Sequence, residues 1–187
     1  MRRGLILTLP KYDDVTEYLS AFSIIIEKIS KEKGIFCKLL KGESANKEEF
    51  EKVINNLDCK MVVFNGHGSE NTIAGNGGNI LIKLGENEDL LKNRIVYARS
   101  CEAASNLGEK CVNNSEGCFI GYNLPFEFYF DPEWVGNPIK DNTARLFLES
   151  SNLAPISIIK GNNSNEAHER SKNQMLKNIR YLLSFLK

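Results

Sequence analysis

The sequence has no charge of either sign in excess: 24 lysines and arginines balance 24 aspartates and glutamates over 187 residues. That balance, with Lys and Glu interleaved along helical stretches, argues against a nucleic-acid binder, which needs a basic surplus or a basic face. No apolar run approaches the roughly 20 residues of a membrane span. The basic-then-apolar opening, Met1 to Pro10, stops too early for a secretion signal and is expected to be a first strand. The five cysteines (Cys37, Cys59, Cys101, Cys111, Cys118) are odd in number and form no Cys-x-x-Cys pair. This argues against a zinc site and a disulfide framework, and points to reduced thiols in a cytoplasmic setting. Repeats, low-complexity tracts and linkers are missing too, so residues 1–187 are expected to form a single domain. Gly75-x-Gly77-Gly78 lacks the Lys-Ser/Thr of a phosphate loop, so no nucleotide, other cofactor or metal is expected.

What is present is an alternation of short apolar runs with helical patterns. Strands are expected at 4–9, 35–40, 61–65, 80–84 (a strand or a short hairpin arm), 94–99 and 118–122. Asp13 and Asp14 are placed to cap a helix that Gly34 ends. Asn46, three residues before Glu49, starts a second helix. A short helix is expected at 105–112, another from Asn137-Pro138, and a long last one from about Ser164. Gly66 to Asn79 and the aromatic, proline-bearing stretch 123–137 read as loops, the second as a functional one. Alternation of this kind predicts an α/β domain with a mostly parallel sheet covered on both faces.

Two central strands end in reactive residues. One gives Phe64-Asn65-Gly66-His67-Gly68, the other Tyr97-Ala98-Arg99-Ser100-Cys101-Glu102. In open parallel sheets ligands sit at the carboxyl ends of strands. If the two strands are neighbours, an imidazole and a thiol face each other there. The thiolate is the attacking form of cysteine, and an imidazole can take its proton and later give it to a leaving amine. Gly66 and Gly68 allow close backbone approach, and the N–H groups of Gly68 and Cys101 are candidate oxyanion donors. His168, among charges on the last helix, is expected to be solvated. Missing the G-x-S-x-G elbow, the chain gives little support to another α/β hydrolase or transferase built on Cys101.

Together these segments resemble the caspase-like cysteine peptidases of the CHAT family. The Gly66-His67-Gly68 turn is similar to that family's His-Gly signature, and IVYARSCEAASNLG to its nucleophile strand and turn. GCFIGYNLPFE and NTARLFLESS are similar to the following strand, loop and helix, so the likeness covers about residues 60–160. The resemblance implies a caspase-like three-layer sandwich of about six mostly parallel strands and a His67–Cys101 dyad with no third residue required. It implies a substrate-binding acid after the sixth strand, at Glu127 or else Asp131, favouring Arg or Lys before the scissile bond. Two departures stand out: Glu replaces the usual Asp, and Arg99, two residues before Cys101, is placed either to pair with that acid or to close the pocket. The implied role is regulated proteolysis in a prokaryotic defence or cell-death setting, on a protein or peptide substrate, with a separate activating or sensor protein. The rival expectation is a catalytically silent caspase-like interaction module.

Overall fold

The computed structural model describes residues 4–184 and contains eight strands. They are β1 (Gly4–Leu9), β2 (Phe36–Lys41), β3 (Cys59–Asn65), β4 (Gly68–Ser69), β5 (Thr72–Ala74), β6 (Ile80–Lys83), β7 (Ile95–Arg99) and β8 (Cys118–Ile120). Five form one sheet in the order β2-β1-β3-β7-β8, and every pairing in it is parallel. Parallel neighbours need crossovers, and three helices lie in them: α1 (Asp14–Glu32), α2 (Lys47–Asn56) and α3 (Asn106–Val112); α4 (Asn142–Ile159) and α5 (Ser164–Ser184) follow the last strand.

The inner strands β1, β3 and β7 are buried on both faces, which is why they read as nearly continuous apolar runs rather than alternating ones. On one face Leu5, Leu7, Met61, Val63 and Tyr97 pack with Ile26 of α1 and with Ala154 and Ile159 of α4. On the other, Ile6, Val62, Phe64, Val96 and Ala98 pack with Phe50 and Ile54 of α2 and Leu107 and Cys111 of α3. Each fully buried large aliphatic side chain contributes about 1.5–3 kcal/mol. The result is the expected three-layer α/β arrangement, with α5 laid on α4 through Ser171 Oγ to the Ser150 carbonyl at 2.8 Å.

The central sheet has five strands, not six. The run at 80–84 became the hairpin arm: β6 pairs antiparallel with β5, and β5 with β4, as a separate small sheet. The Gly- and Asn-rich stretch before it folds back tightly, with Glu70 and Asn71 between the paired Ser69 and Thr72, so the connection from β3 to its parallel neighbour β7 carries a small antiparallel sheet instead of a further parallel strand. Ile73, Leu81 and Ile82 of this sheet then cover the α2/α3 face.

The caps explain the helix starts. Asp13 accepts from the Thr16 N–H, and Thr16 Oγ1 in turn takes the Asp13 N–H, a reciprocal capping box. Asn46 does the same one-way service for α2 through the Glu49 N–H. The helix expected at Asn137-Pro138 begins later. Pro138–Lys140 is a single 3-10 turn, and α4 starts at Asn142, because Asp141 accepts from both Thr143 and Ala144 N–H groups and is the stronger cap. Among the described residues, no helix is long and apolar enough to cross a membrane.

Candidate active site

β3 and β7 are adjacent, and their last paired residues are Asn65 and Arg99. His67 and Cys101 each stand two positions further on, so both emerge at the carboxyl edge of the same sheet. The two strand ends are tied together beyond the ladder. The Gly66 N–H donates to the Arg99 carbonyl at 3.3 Å, and the buried Ser100 hydroxyl reaches the Gly66 and His67 carbonyls at 3.1 and 2.7 Å.

Both glycines around His67 are required by space. A Cβ on Gly66 would lie 2.4 Å from the Ala74 carbonyl oxygen, and its φ of +142° is a conformation L side chains rarely adopt. A Cβ on Gly68 would lie 2.6 Å from Ser100 Oγ and 2.8 Å from the Thr72 carbonyl oxygen. The Ala74 N–H donates to the His67 carbonyl, so the Gly68–Ile73 pair is a non-hydrogen-bonded one. The Gly68 N–H therefore faces away from β5, as a donor to substrate must.

Cys101 opens a turn in which Glu102 takes φ +57°, a left-handed conformation unusual for a residue with a side chain. Strained backbone of this kind recurs at functional sites. The segment after β8 is laid along this turn: the Glu102 N–H reaches the Leu124 carbonyl at 3.3 Å and the Ala104 N–H the Tyr122 carbonyl at 3.0 Å. The Cys101 thiol lies 4.0 Å from the Phe126 carbonyl. Burial pushes the Cys37 and Cys111 thiols up to about 12 and also raises those of Cys59 and Cys118, which makes these four poor nucleophiles at neutral pH.

His67 has a partner that the sequence did not disclose. Its Nε2 is 2.8 Å from Asp13 Oδ2, and the Tyr12 ring meets it edge-on with centroids 6.0 Å apart. Partial burial works to raise the Asp13 carboxyl, but the Thr16 N–H and the His67 ring outweigh it and hold it below the usual carboxylate range. The signal available was positional: Asp13 follows β1, the neighbour of β3, on the same sheet edge. Its cap role already accounted for it, which hid the second one.

The segment 121–131 carries the two acids. Phe128 and Phe130 turn inward onto Tyr18 and Phe126 onto Tyr122 and Phe128, while Glu127 and Tyr129 alternate outward and are exposed. Glu127 thus does not sit at the base of an aromatic slot. It stands at a groove of about 250 Å³ whose walls include Phe126, Leu146, Phe147, Met175 and Ile179. Asp131 is engaged as a cap, accepting from the Glu133 N–H at 3.0 Å. Arg99 pairs with neither acid and closes no pocket. It is fully buried beneath the strand end, turned into the α1/α4 layer, where it donates to Ser23 Oγ at 2.6 Å and Asn152 Oδ1 at 2.7 Å. Burial lowers its basicity, with the Tyr97 and Tyr122 phenols acting in the opposite direction. His168 is exposed on α5. Among the described residues, no group of three or more His, Cys, Asp and Glu side chains is placed to hold a metal ion.

No protein-family model matches the sequence, and no curated protein matches it significantly.

Proposed function

We propose that the chain is a caspase-like cysteine endopeptidase of the CHAT type, with Cys101 as nucleophile and His67 as general base and acid. The observation that carries this reading is the delivery of both residues from neighbouring parallel strands to one sheet edge, where the Ser100 hydroxyl beside Cys101 donates to the Gly66 and His67 carbonyls. In the reaction the Cys101 Sγ proton passes to His67, and the thiolate attacks the scissile carbonyl carbon. The oxyanion that forms is met by the Gly68 and Cys101 N–H groups. As the C–N bond breaks, His67 returns the proton to the departing amine. A water then splits the thioester, giving one proton to the ring and so restoring the thiol.

Glu127, at the mouth of an apolar groove, suits a substrate side chain with a long aliphatic stem and a cationic tip, so Arg and then Lys are favoured before the scissile bond. The setting is the cytoplasm, the work is regulated proteolysis in a prokaryotic defence or cell-death system, and a separate protein supplies activation. The test is hydrolysis of a peptide library by wild type, Cys101→Ala and His67→Ala, with and without neighbouring gene products. Each substitution is expected to abolish turnover while leaving the melting temperature near that of wild type, and the double variant is expected to be no worse than either single. Turnover unchanged in Cys101→Ala removes the mechanism, and a wild type that cleaves no peptide under either condition leaves the interaction-module reading in its place.

A further inference from the structure

We propose that Asp13 is the positioning residue of the site, turning the dyad into an Asp13–His67–Cys101 relay in which one carboxylate serves both a helix and a histidine. The inference rests on the peptidase reading above and adds to it a residue that no dyad requires. The two carboxylate oxygens are divided between two tasks. Oδ1 accepts the Thr16 N–H at 2.7 Å and caps α1, while Oδ2 meets His67 Nε2 at 2.8 Å. The cap fixes the carboxylate, because Thr16 Oγ1 simultaneously takes the Asp13 N–H. The carboxylate then fixes the ring.

The proton bookkeeping follows from the donors available. An ionised carboxylate only accepts, so Nε2 must carry the hydrogen in the contact with Oδ2. Nδ1 is then the unprotonated nitrogen, and the only one left to receive the Cys101 proton. When it does, the ring becomes a cation with an anion already in contact, and the positive end of the 19-residue helix α1 helps keep that anion ionised. The Tyr12 ring, edge-on against the imidazole, restricts its rotation. Asp13 and Tyr12 face His67 from the segment before α1, and Cys101 follows the end of β7, the strand paired with β3. The His67 and Asp13 side chains keep 45% and 37% of their exposure, so solvent screens the contact and its effect is smaller than in a closed site.

The substitution Asp13→Asn separates the two tasks. Asparagine caps as well as aspartate does, so α1 is retained. With Oδ1 still on Thr16, the amide NH₂ faces Nε2 and donates to it. The ring is thereby forced into the tautomer that carries its hydrogen on Nδ1, which cannot take the thiol proton. The experiment measures iodoacetamide labelling of Cys101 against pH, the kcat and KM for peptide hydrolysis, and the melting temperature. It uses wild type, Asp13→Asn, Asp13→Glu and His67→Ala. In Asp13→Asn, kcat is expected to fall on the order of 100-fold with KM little changed. Labelling at neutral pH should fall about tenfold as its midpoint moves up by about one unit. The melting temperature should stay within about 2 °C of wild type. Asp13→Glu should recover part of the kcat and labelling losses.

A labelling midpoint and kcat unchanged in Asp13→Asn, with His67→Ala slow, overturn the relay and leave the dyad standing. A melting temperature that falls in step with activity makes the role structural and overturns the relay too. Wild-type Cys101 labelled no faster than in His67→Ala removes the peptidase reading, and the relay with it.

Discussion

The two sides of the candidate site are built by opposite means. The His67 side is a tight turn between β3 and β4, with glycines where a Cβ has no room and the side chain tied to Asp13. The facing side, residues 121–137, is a long segment without regular structure apart from one 3-10 turn at Pro132–Trp134, and its acid Glu127 points into solvent. The first is fixed by backbone contacts and cannot move without breaking them. The second is anchored from behind, by inward phenylalanines and one buried carboxylate, and is tied to the Cys101 turn through the Tyr122 and Leu124 carbonyls, with Glu127 and Tyr129 exposed. On the proposed reading, chemistry that demands fixed geometry falls on the glycine-bound side and recognition on the irregular one.

The comparison is most easily broken at its glycines. Gly66→Ala must relieve a 2.4 Å contact with a backbone oxygen and escape a φ of +142°. It is expected to cost on the order of 3 kcal/mol and to abolish activity. Gly136→Ala, in the opposite segment, meets nothing within 4 Å and should change stability by less than about 0.5 kcal/mol. Denaturant unfolding of the two variants decides this. Equal losses at both positions contradict the contrast between a rigid and an adaptable side.

This difference in construction also sets how much the sequence reveals. The inner strands β1, β3 and β7 of the parallel sheet are legible because burial on both faces demands nearly unbroken apolar runs. His67 and Cys101 are legible because they end two such runs. The run Ile80–Lys83 leaves a strand and a hairpin arm both open for the same reason: a hairpin arm packed on a core is as apolar as a parallel strand. Proline at Pro138 suggested a helix start, yet Asp141 won, since two N–H groups bonded to one carboxylate outweigh a preset φ. The roles of Asp13, Arg99 and Glu127 lie further from reach. Asp13 meets His67 across 54 residues and Arg99 meets Ser23 across 76, and no local spacing encodes such distances. Glu127 faces out because the phenylalanines at 126, 128 and 130 take the inward positions of an extended chain. A count of aromatics does not give that alternation; the spacing of two, read against Tyr18, does.

The adaptable side has its own anchor in Asp141, which is fully buried. Its Oδ1 accepts from Thr143 and Ala144, capping α4, and its Oδ2 accepts the Asp131 N–H at 2.7 Å and the Tyr18 hydroxyl at 2.9 Å. Burial works to raise this carboxyl, but the Ala144 and Asp131 N–H groups, Tyr18 and Thr143 outweigh it and hold it low. Asp141→Ala removes the cap and orphans buried donors, and is expected to cost about 2 kcal/mol. A group whose folded pKa lies below its unfolded value of about 3.9 stabilises fully above that pH and loses its contribution as pH falls through the folded value. The stability gap between wild type and Asp141→Ala should therefore be widest at neutral pH and narrow below about pH 4. A gap independent of pH leaves the cap geometry, rather than the charge, as the anchor. In either case KM should rise more than kcat falls, because the loosened segment is the recognition side.

The smallest effect is expected at the front of that segment. Glu127 is exposed, at the mouth of a groove of about 250 Å³. Glu127→Gln should leave stability within about 0.5 kcal/mol of wild type, as substitutions of free surface charges do. Its consequence is for choice among substrates. A carboxylate enclosed at the base of a slot would discriminate by several kcal/mol, because an uncharged occupant would leave it buried and unpaired. An exposed one keeps its water, so the preference for a guanidinium is worth about 1 kcal/mol, or roughly fivefold in kcat/KM. Arg should still lead Lys, since a planar fork lies flat on the aromatic and methionine walls while reaching the acid. The measurement is kcat/KM for Arg, Lys, Asp and Leu reporter peptides in wild type and Glu127→Gln. The Arg and Lys reporters should lead in wild type and drop toward Leu in the variant. Asp131→Asn should leave the ranking alone, because the Asp131 carboxylate is occupied by the Glu133 N–H. A wild-type ranking led by Asp or Leu, or an Arg preference that survives in Glu127→Gln, takes recognition away from this acid while the rigid side keeps its chemistry.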